Sequence, residues 1–222
     1  MLCCQPWKGN MPCPICEKRK PERLCPAKGE TICSVCCGTG REVTIDCPSD
    51  CAYLQRARRQ DEAHRKPRTW KDLPMGDVRI PPDLVDDRRD LVAGLSVSLL
   101  EFAQQNPAMH DADTAEAFAA LAETYRTLTS GLYYEKPPDG GLPRALYAHL
   151  AQFLEKFKKE SAEAADFPAI KDSEIFLVLV FFLRFGRVRS NERLRSRAFL
   201  DFLRVQFPQA PPNADAPRIM LP

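Results

Sequence analysis

All ten cysteines of the 222-residue chain fall between Cys3 and Cys51. Eight of them stand in spacings that ligate metal: Cys13-Pro-Ile-Cys16, a lone Cys25, Cys33-Ser-Val-Cys36-Cys37-Gly38, and Cys47-Pro-Ser-Asp-Cys51. A CxxC turn aims two thiolates at one ion while backbone amides offset their negative charge, and a following glycine such as Gly38 eases the tight turn. The four-residue step from Cys47 to Cys51 places both sulfurs on one face of a first helical turn, where the positive end of the helix dipole favours thiolate. Structural zinc prefers closed tetrahedral Cys4 sites, so eight thiols predict two Zn2+ ions. The assignment preferred from spacing gives Cys33, Cys36, Cys47 and Cys51 to one ion and Cys13, Cys16, Cys25 and Cys37 to the other. A cross-braced exchange of pairs satisfies the same spacings, since sequence does not fix connectivity. Cys3 and Cys4 are surplus and read as exposed thiols in a loose terminus.

The start of the chain lacks a secretory apolar core, and no apolar run approaches the roughly 20 residues of a spanning helix. These features predict a soluble cytoplasmic protein without a membrane span, and in a reducing compartment clustered cysteines favour metal over disulfide. The cysteine-rich segment is too short and too poor in large apolar residues to bury a core unaided. Bound metal must therefore supply its folding free energy.

After the Cys33 turn, Gly40 to Asp46 alternates like a short strand, and Cys47 to Cys51 opens a helix running through Arg59. Knuckle, strand, then helix with ligands in its first turn is the order of a treble-clef finger, a short β-hairpin plus helix. Over residues 13–59 the chain resembles the two-zinc treble-clef modules of the HIT and MYND type. It departs from them at the lone Cys25, where they show a second CxxC, and in lacking a histidine near the end of the motif. The resemblance implies a protein-interaction module of the kind found in assemblies that handle nucleic acid.

These ligands need elements to hold them, and the rest of the chain is patterned differently. Residues 1–65 form the expected zinc module. Residues 66–82, with four prolines and no sustained periodicity, read as an extended linker. Helical periodicity then predicts an all-helical domain of about five helices over 83–207, followed by a disordered tail over 208–222. The first helix carries Leu84, Leu91, Leu95, Leu99 and Phe102. The second starts at Asp113 and carries Phe118, Leu121, Tyr125, Leu128 and Leu132. The third, with Pro143 in its first turn, carries Leu146, Leu150, Phe153 and Phe157. The fourth, about Ser173 to Phe185, is apolar all round, as a helix at the centre of a bundle must be, and a strand is the alternative there. The fifth spans Asn191 to Gln206 with Leu194, Phe199 and Leu203 inward.

The net charge of +2 conceals an uneven distribution, because Lys and Arg concentrate before residue 70 and again in 184–204 while the middle is acidic. Arg56, Arg58 and Arg59, and then Arg187, Arg189, Arg193 and Arg197, are the candidate phosphate contacts of a nucleic-acid-binding reading. Their competing reading is a solvated helix face paired with Asp201 and the acidic middle. Closed Cys4 sites leave no coordination position for catalysis, and no Ser/His/Asp order, phosphate-cradling glycine loop or HExxH pattern occurs. His149 lies beside the third apolar stripe and reads as a core residue. The expectation is a non-catalytic adaptor with a protein partner, with nucleic-acid binding as the first alternative and a thiol-zinc redox switch, suggested by adjacent Cys36 and Cys37, as the second.

Overall fold

The computed structural model describes residues 11–66, 68–163 and 169–208. Cys3, Cys4 and the tail beyond residue 208 lie outside the described residues. Among those described, the protein is mostly helical, with eight α-helices and one two-stranded antiparallel hairpin near the N-terminus. No helix among them is long and apolar enough to cross a membrane.

The chain divides into two compact units. Among the described residues, one comprises those up to 66 together with Asn191–Ser196, and the other those from Arg68 to Ser190 and from Arg197 to 208. In the first unit, β1 (Arg23–Cys25) pairs with β2 (Glu30–Ile32) in the register Arg23 to Ile32, turning through Gly29 in the left-handed region. A short helix α1 (Ser34–Gly40) follows, and α2 (Ala52–Ala63) closes the segment. The core is small and sulfur-rich: Ile32, Ile45 and Leu54 are buried among Cys13, Cys25, Cys33, Cys36, Cys37, Cys47 and Cys51. Three aliphatic side chains cannot meet the conformational entropy of some fifty residues, so this packing requires a further tie.

The predicted strand over Gly40 to Asp46 is instead a turn whose ends meet in a single bridge, Arg41 to Ile45. Three consecutive amides, those of Val43, Thr44 and Ile45, all donate to the Gly40 carbonyl. A side chain at Gly40 would meet Thr44 Oγ1 at 2.9 Å, so this tight reversal needs glycine there.

The second unit is a helical bundle of α3 (Leu84–Asp87), α4 (Arg89–Gln105), α5 (Asp111–Thr129), α6 (Gly141–Glu163), α7 (Asp172–Arg189) and α8 (Ala198–Gln206). α7 is a helix rather than the alternative strand, and Ile175, Val178, Leu179, Val180 and Phe182 along it are buried. It packs most closely on α5, where Phe118 and Phe182 stack with ring centres 5.0 Å apart. Leu91, Leu95 and Leu99 of α4 and Leu146, Leu150 and Leu154 of α6 complete the core. Gly94 lets the Phe153 ring approach α4, since a Cβ there would sit 2.6 Å from it.

Four boundaries differ from the sequence reading, and the first is that the expected helix from Leu84 to Phe102 is broken at Arg88 into α3 and α4. The residues expected to form an extended linker belong to the helical unit from Arg68 onward: Met75, Val78 and Ile80 pack on its core, and the buried Arg184 donates to the carbonyls of Pro74, Met75 and Val78. The second helix begins at Asp111, because Asp113 accepts the His110 amide at 2.8 Å as a cap, and it ends at Thr129, leaving Leu132 exposed. The fifth helix does not begin at Asn191. Residues Asn191–Ser196 are drawn to polar groups of the first unit, the helix starts at Ala198, and Leu194 is 68% exposed instead of inward.

Candidate metal centre

The sulfurs of Cys13, Cys16, Cys33 and Cys36 all lie within 4.8 Å of one another. Cys13 and Cys16 come from the turn preceding β1. Cys33 is the N-cap of α1, and Cys36 lies in that helix's first turn. The Cys16 and Cys33 sulfurs are 3.9 Å apart. Thiolates about 2.3 Å from a tetrahedral ion are separated by about 3.8 Å, so the donor set and its spacing fit Zn2+.

Backbone amides point at this cluster, as thiolates require. The Cys33 amide donates to Cys13 Sγ at 3.3 Å, and the Cys36 amide donates to Cys33 Sγ at 3.4 Å. Hydrogen bonds from the Lys18 and Arg19 amides pull the Cys16 thiol down to about 6. For Cys13, burial acts upward but is outweighed by amides of Cys33, Cys16 and Ile15, and the thiol is lowered. Cys36 moves the other way, to about 12, because it shares a hydrogen bond with Cys33 and is buried beside other sulfurs that ionise first. Four adjacent thiols that resist simultaneous ionisation are what a divalent cation relieves.

This grouping overturns the assignment preferred from spacing. Cys33 and Cys36 do not share a cluster with Cys47 and Cys51; they meet Cys13 and Cys16 in the cross-braced arrangement. The physical reason is the β1–β2 hairpin, which returns the chain so that Cys33 arrives beside Cys13. A short β-hairpin is part of the fold class expected from sequence, but cysteine spacing does not say which pairs it brings together.

The other four cysteines are buried together. Cys25, Cys37, Cys47 and Cys51 line one cavity of about 10 Å3, with Ile32, Ile45 and Tyr53 among its walls. Burial raises the Cys47 thiol; the Glu42 amide opposes this, and the charges of Cys51 and Cys25 add to it. Arg41 Nη2 donates to Cys37 Sγ at 3.9 Å. Among the described residues, only the first group brings four sulfurs within 4.8 Å. Cys51 is the N-cap of α2, and Cys47 precedes the helix rather than lying in its first turn.

Beside this second set sits a residue that the sequence did not reveal. Glu42 is 1% exposed and adopts φ 52°, in the left-handed region. Its carboxylate accepts from Arg58 Nη2 at 2.6 Å and from Asn191 Nδ2 at 2.6 Å, and its carbonyl accepts the Arg195 amide at 2.8 Å. Arg193 Nη1 donates to the neighbouring Arg41 carbonyl at 2.8 Å. The loop carrying Cys37 and Cys47 is thus clasped by Asn191–Ser196. A glutamate in an undistinguished turn gives no sequence signal of this kind.

The arginines nominated for phosphate contact are distributed unevenly. Arg56 and Arg59 are exposed on α2, whereas Arg58 binds Glu42. Arg193 binds the Arg41 carbonyl, and Arg197 donates to the carbonyls of Met109 and Pro107, each at 3.0 Å. The Arg189 guanidinium lies over Phe202, 4.1 Å from the ring centre. Arg187 is exposed, and its carbonyl accepts from Arg68. His149 is half-buried beside Phe102 with its Nε2 3.0 Å from Ser98 Oγ, and His64 ends α2, exposed and hydrogen-bonded to Gln60.

No family model, no curated protein and no solved structure matches this chain.

Proposed function

We propose that this protein is a non-catalytic, two-zinc adaptor whose treble-clef-like first unit engages a protein partner. The observation that carries the reading is the closed Cys13, Cys16, Cys33 and Cys36 cluster. Four thiolates saturate a tetrahedral ion and leave no position for substrate or water. The ion's role is then to hold shape. In this reading Cys25, Cys37, Cys47 and Cys51, which line one small cavity, are the donors for the second ion.

The shape so held presents apolar residues outward. Ile15 and Val35 occupy the middle of the two turns that supply the first cluster, and they are 45% exposed each; Leu24 on β1 is 63% exposed. Aliphatic side chains displayed from metal-fixed turns suit a protein surface better than a phosphate backbone. The internal engagement of Arg58, Arg189, Arg193 and Arg197 weighs against the nucleic-acid alternative, which keeps the exposed Arg56 and Arg59. Zinc release on thiol oxidation stays secondary, since the Cys36 and Cys37 thiols are both buried.

The test is capture by full-length protein from cells that contain it, with and without nuclease, for wild type and for Ile15→Asp with Val35→Asp. The reading expects a protein partner that survives nuclease and is lost with the paired substitution while zinc content holds. Capture abolished by nuclease and unaffected by the substitutions would transfer the assignment to nucleic acid.

A further inference from the structure

The helical unit contains a cleft that the adaptor reading does not use. It lies between α7 and the segment leading into α3, with a volume of about 460 Å3. That is within the range of small-molecule sites, about 300 to 1,000 Å3. Ile80, Val85, Phe181 and Phe185 give it apolar walls, and Arg68 and Arg184 are its charged members. Among the described residues, no carboxylate lines it.

Two guanidinium groups in a concave, apolar setting set up a positive potential stronger than the same charges produce on an open surface. Both are held in place. Arg184 is 4% exposed and anchored on the carbonyls of Pro74 and Val78, at 3.0 and 2.8 Å, and on that of Met75. Arg68 Nη1 donates to the Arg187 carbonyl at 3.1 Å, in the last turn of α7, where it offsets the negative end of that helix. Asp77 lines an adjoining cavity that shares Ile80, Pro82 and Arg184 with this one; its charge acts on Arg184, and its carboxylate pairs with Arg126 at 2.8 Å.

We propose that this cleft binds a small amphipathic carboxylate, its hydrocarbon body against Phe181, Phe185 and Ile80 and its charged head toward Arg68 and Arg184. Apolar walls alone accept any hydrocarbon; the fixed cations and the absence of acid from the lining select a monoanion over its neutral analogue. Binding ties the 68–82 segment to α7 and stabilises the helical unit by mass action.

The experiment titrates isotope-labelled full-length protein with sodium octanoate and, separately, with octan-1-ol, following backbone amide shifts. Octanoate should bind saturably, shift the amides of Leu73, Ile80, Val85 and Val188, and bind about tenfold tighter than the alcohol, the ratio given by one charge-assisted hydrogen bond. Val85 is 37% exposed, so its side chain can be exchanged without burying a charge. Val85→Glu should weaken octanoate about tenfold by like-charge repulsion, whereas Val85→Lys should keep or tighten it. Equal affinity for acid and alcohol, shifts elsewhere on the protein, equal behaviour of the two Val85 variants, or no saturable binding would each overturn the proposal.

Discussion

Glu42 and Asn191 are 149 residues apart in sequence, yet the Asn191 amide nitrogen lies 2.6 Å from the Glu42 carboxylate. The same carboxylate neutralises Arg58, and the residue's own amide points at Cys47. Glu42 therefore joins three parts of the first unit: the metal-ligand loop, helix α2 and a segment from the far end of the chain. Glu42→Ala should destabilise that unit by about 3 kcal/mol, because it strands a guanidinium that was paired in a mostly buried place. Asn191→Ala removes the hydrogen bond to the Glu42 carboxylate and the one that Asn191 Oδ1 accepts from the Arg193 amide, and should cost about 2 kcal/mol. Zinc release to excess chelator, followed by a colorimetric dye, should accelerate in that order. Release from both variants at the wild-type rate would mean that Asn191–Ser196 is not a working part of the module.

Zinc stoichiometry tests the two-ion reading directly. Protein purified reduced and without chelator should contain two ions per chain by elemental analysis. Cys16→Ser should remove the ion of the first cluster, and Cys47→Ser the ion of the second set, each leaving one. Wild-type protein holding a single ion that only Cys16→Ser releases would confine the metal to Cys13, Cys16, Cys33 and Cys36. The helical unit should keep its far-UV signal in every case, since its core of Leu95, Leu99, Phe118 and Phe182 contains no cysteine.

That Cys13 with Cys16 and Cys33 with Cys36 are metal-binding pairs was legible in sequence because thiolates must sit at turn or helix spacing to reach one ion, and local spacing is written in the chain. Which pair meets which was not legible, because it depends on the β1–β2 hairpin, whose strands are three residues each. Apolar stripes mark α4, α5 and α6, and an unbroken apolar run marks α7, whereas α1 and the break between α3 and α4 leave no such signal. The failure at Asn191 has a clear cause. Leu194, Phe199 and Leu203 continue a helical pattern across a segment whose polar groups find better partners at Arg41 and Glu42, and tertiary hydrogen bonds outweigh a weak local preference.

Arg197 separates a structural role from phosphate contact. Its two hydrogen bonds to carbonyls at the α4–α5 turn fix the entry to α8, so Arg197→Ala should lower the stability of the helical unit by about 2 kcal/mol in urea titration. Arg187→Ala, at an exposed side chain, should change stability by less than about 0.5 kcal/mol. If either variant instead left stability unchanged and flattened the salt dependence of binding to duplex nucleic acid, phosphate contact would be its role.

Glu174 gives the helical unit an acid-sensitive component. Burial pushes its carboxyl up, but the Lys171 amide and the Arg88 guanidinium outweigh this and hold it below its ordinary value of 4.5. A depressed folded-state value adds stability above the unfolded-state value that is lost as pH falls through the folded one. Helical-unit stability should therefore decline below about pH 4.5, and Glu174→Gln should remove about 1 kcal/mol at neutral pH while making that decline shallower. Parallel acid limbs for the two proteins in urea titrations would show that other carboxylates govern the effect.

Asp111 is the remaining buried acid whose work can be isolated. It sits in the first turn of α5, 5% exposed, yet its carboxylate accepts the amides of Phe199 at 3.1 Å and Leu200 at 3.3 Å. These are free first-turn donors of α8, whose own N-cap, Arg197, offers no side-chain acceptor. α5 thus caps α8 from outside, placing negative charge at the positive end of a nine-residue helix. Asp111→Ala leaves both amides without their acceptor in a buried place and should cost about 2 kcal/mol. Asp111→Asn retains one carbonyl acceptor but no charge, and should cost about half as much. Amide hydrogen exchange at Phe199 and Leu200 should accelerate in proportion, with little change at Leu95 in α4. Exchange accelerating equally at all three sites would mean that Asp111 supports the bundle as a whole rather than the docking of α8.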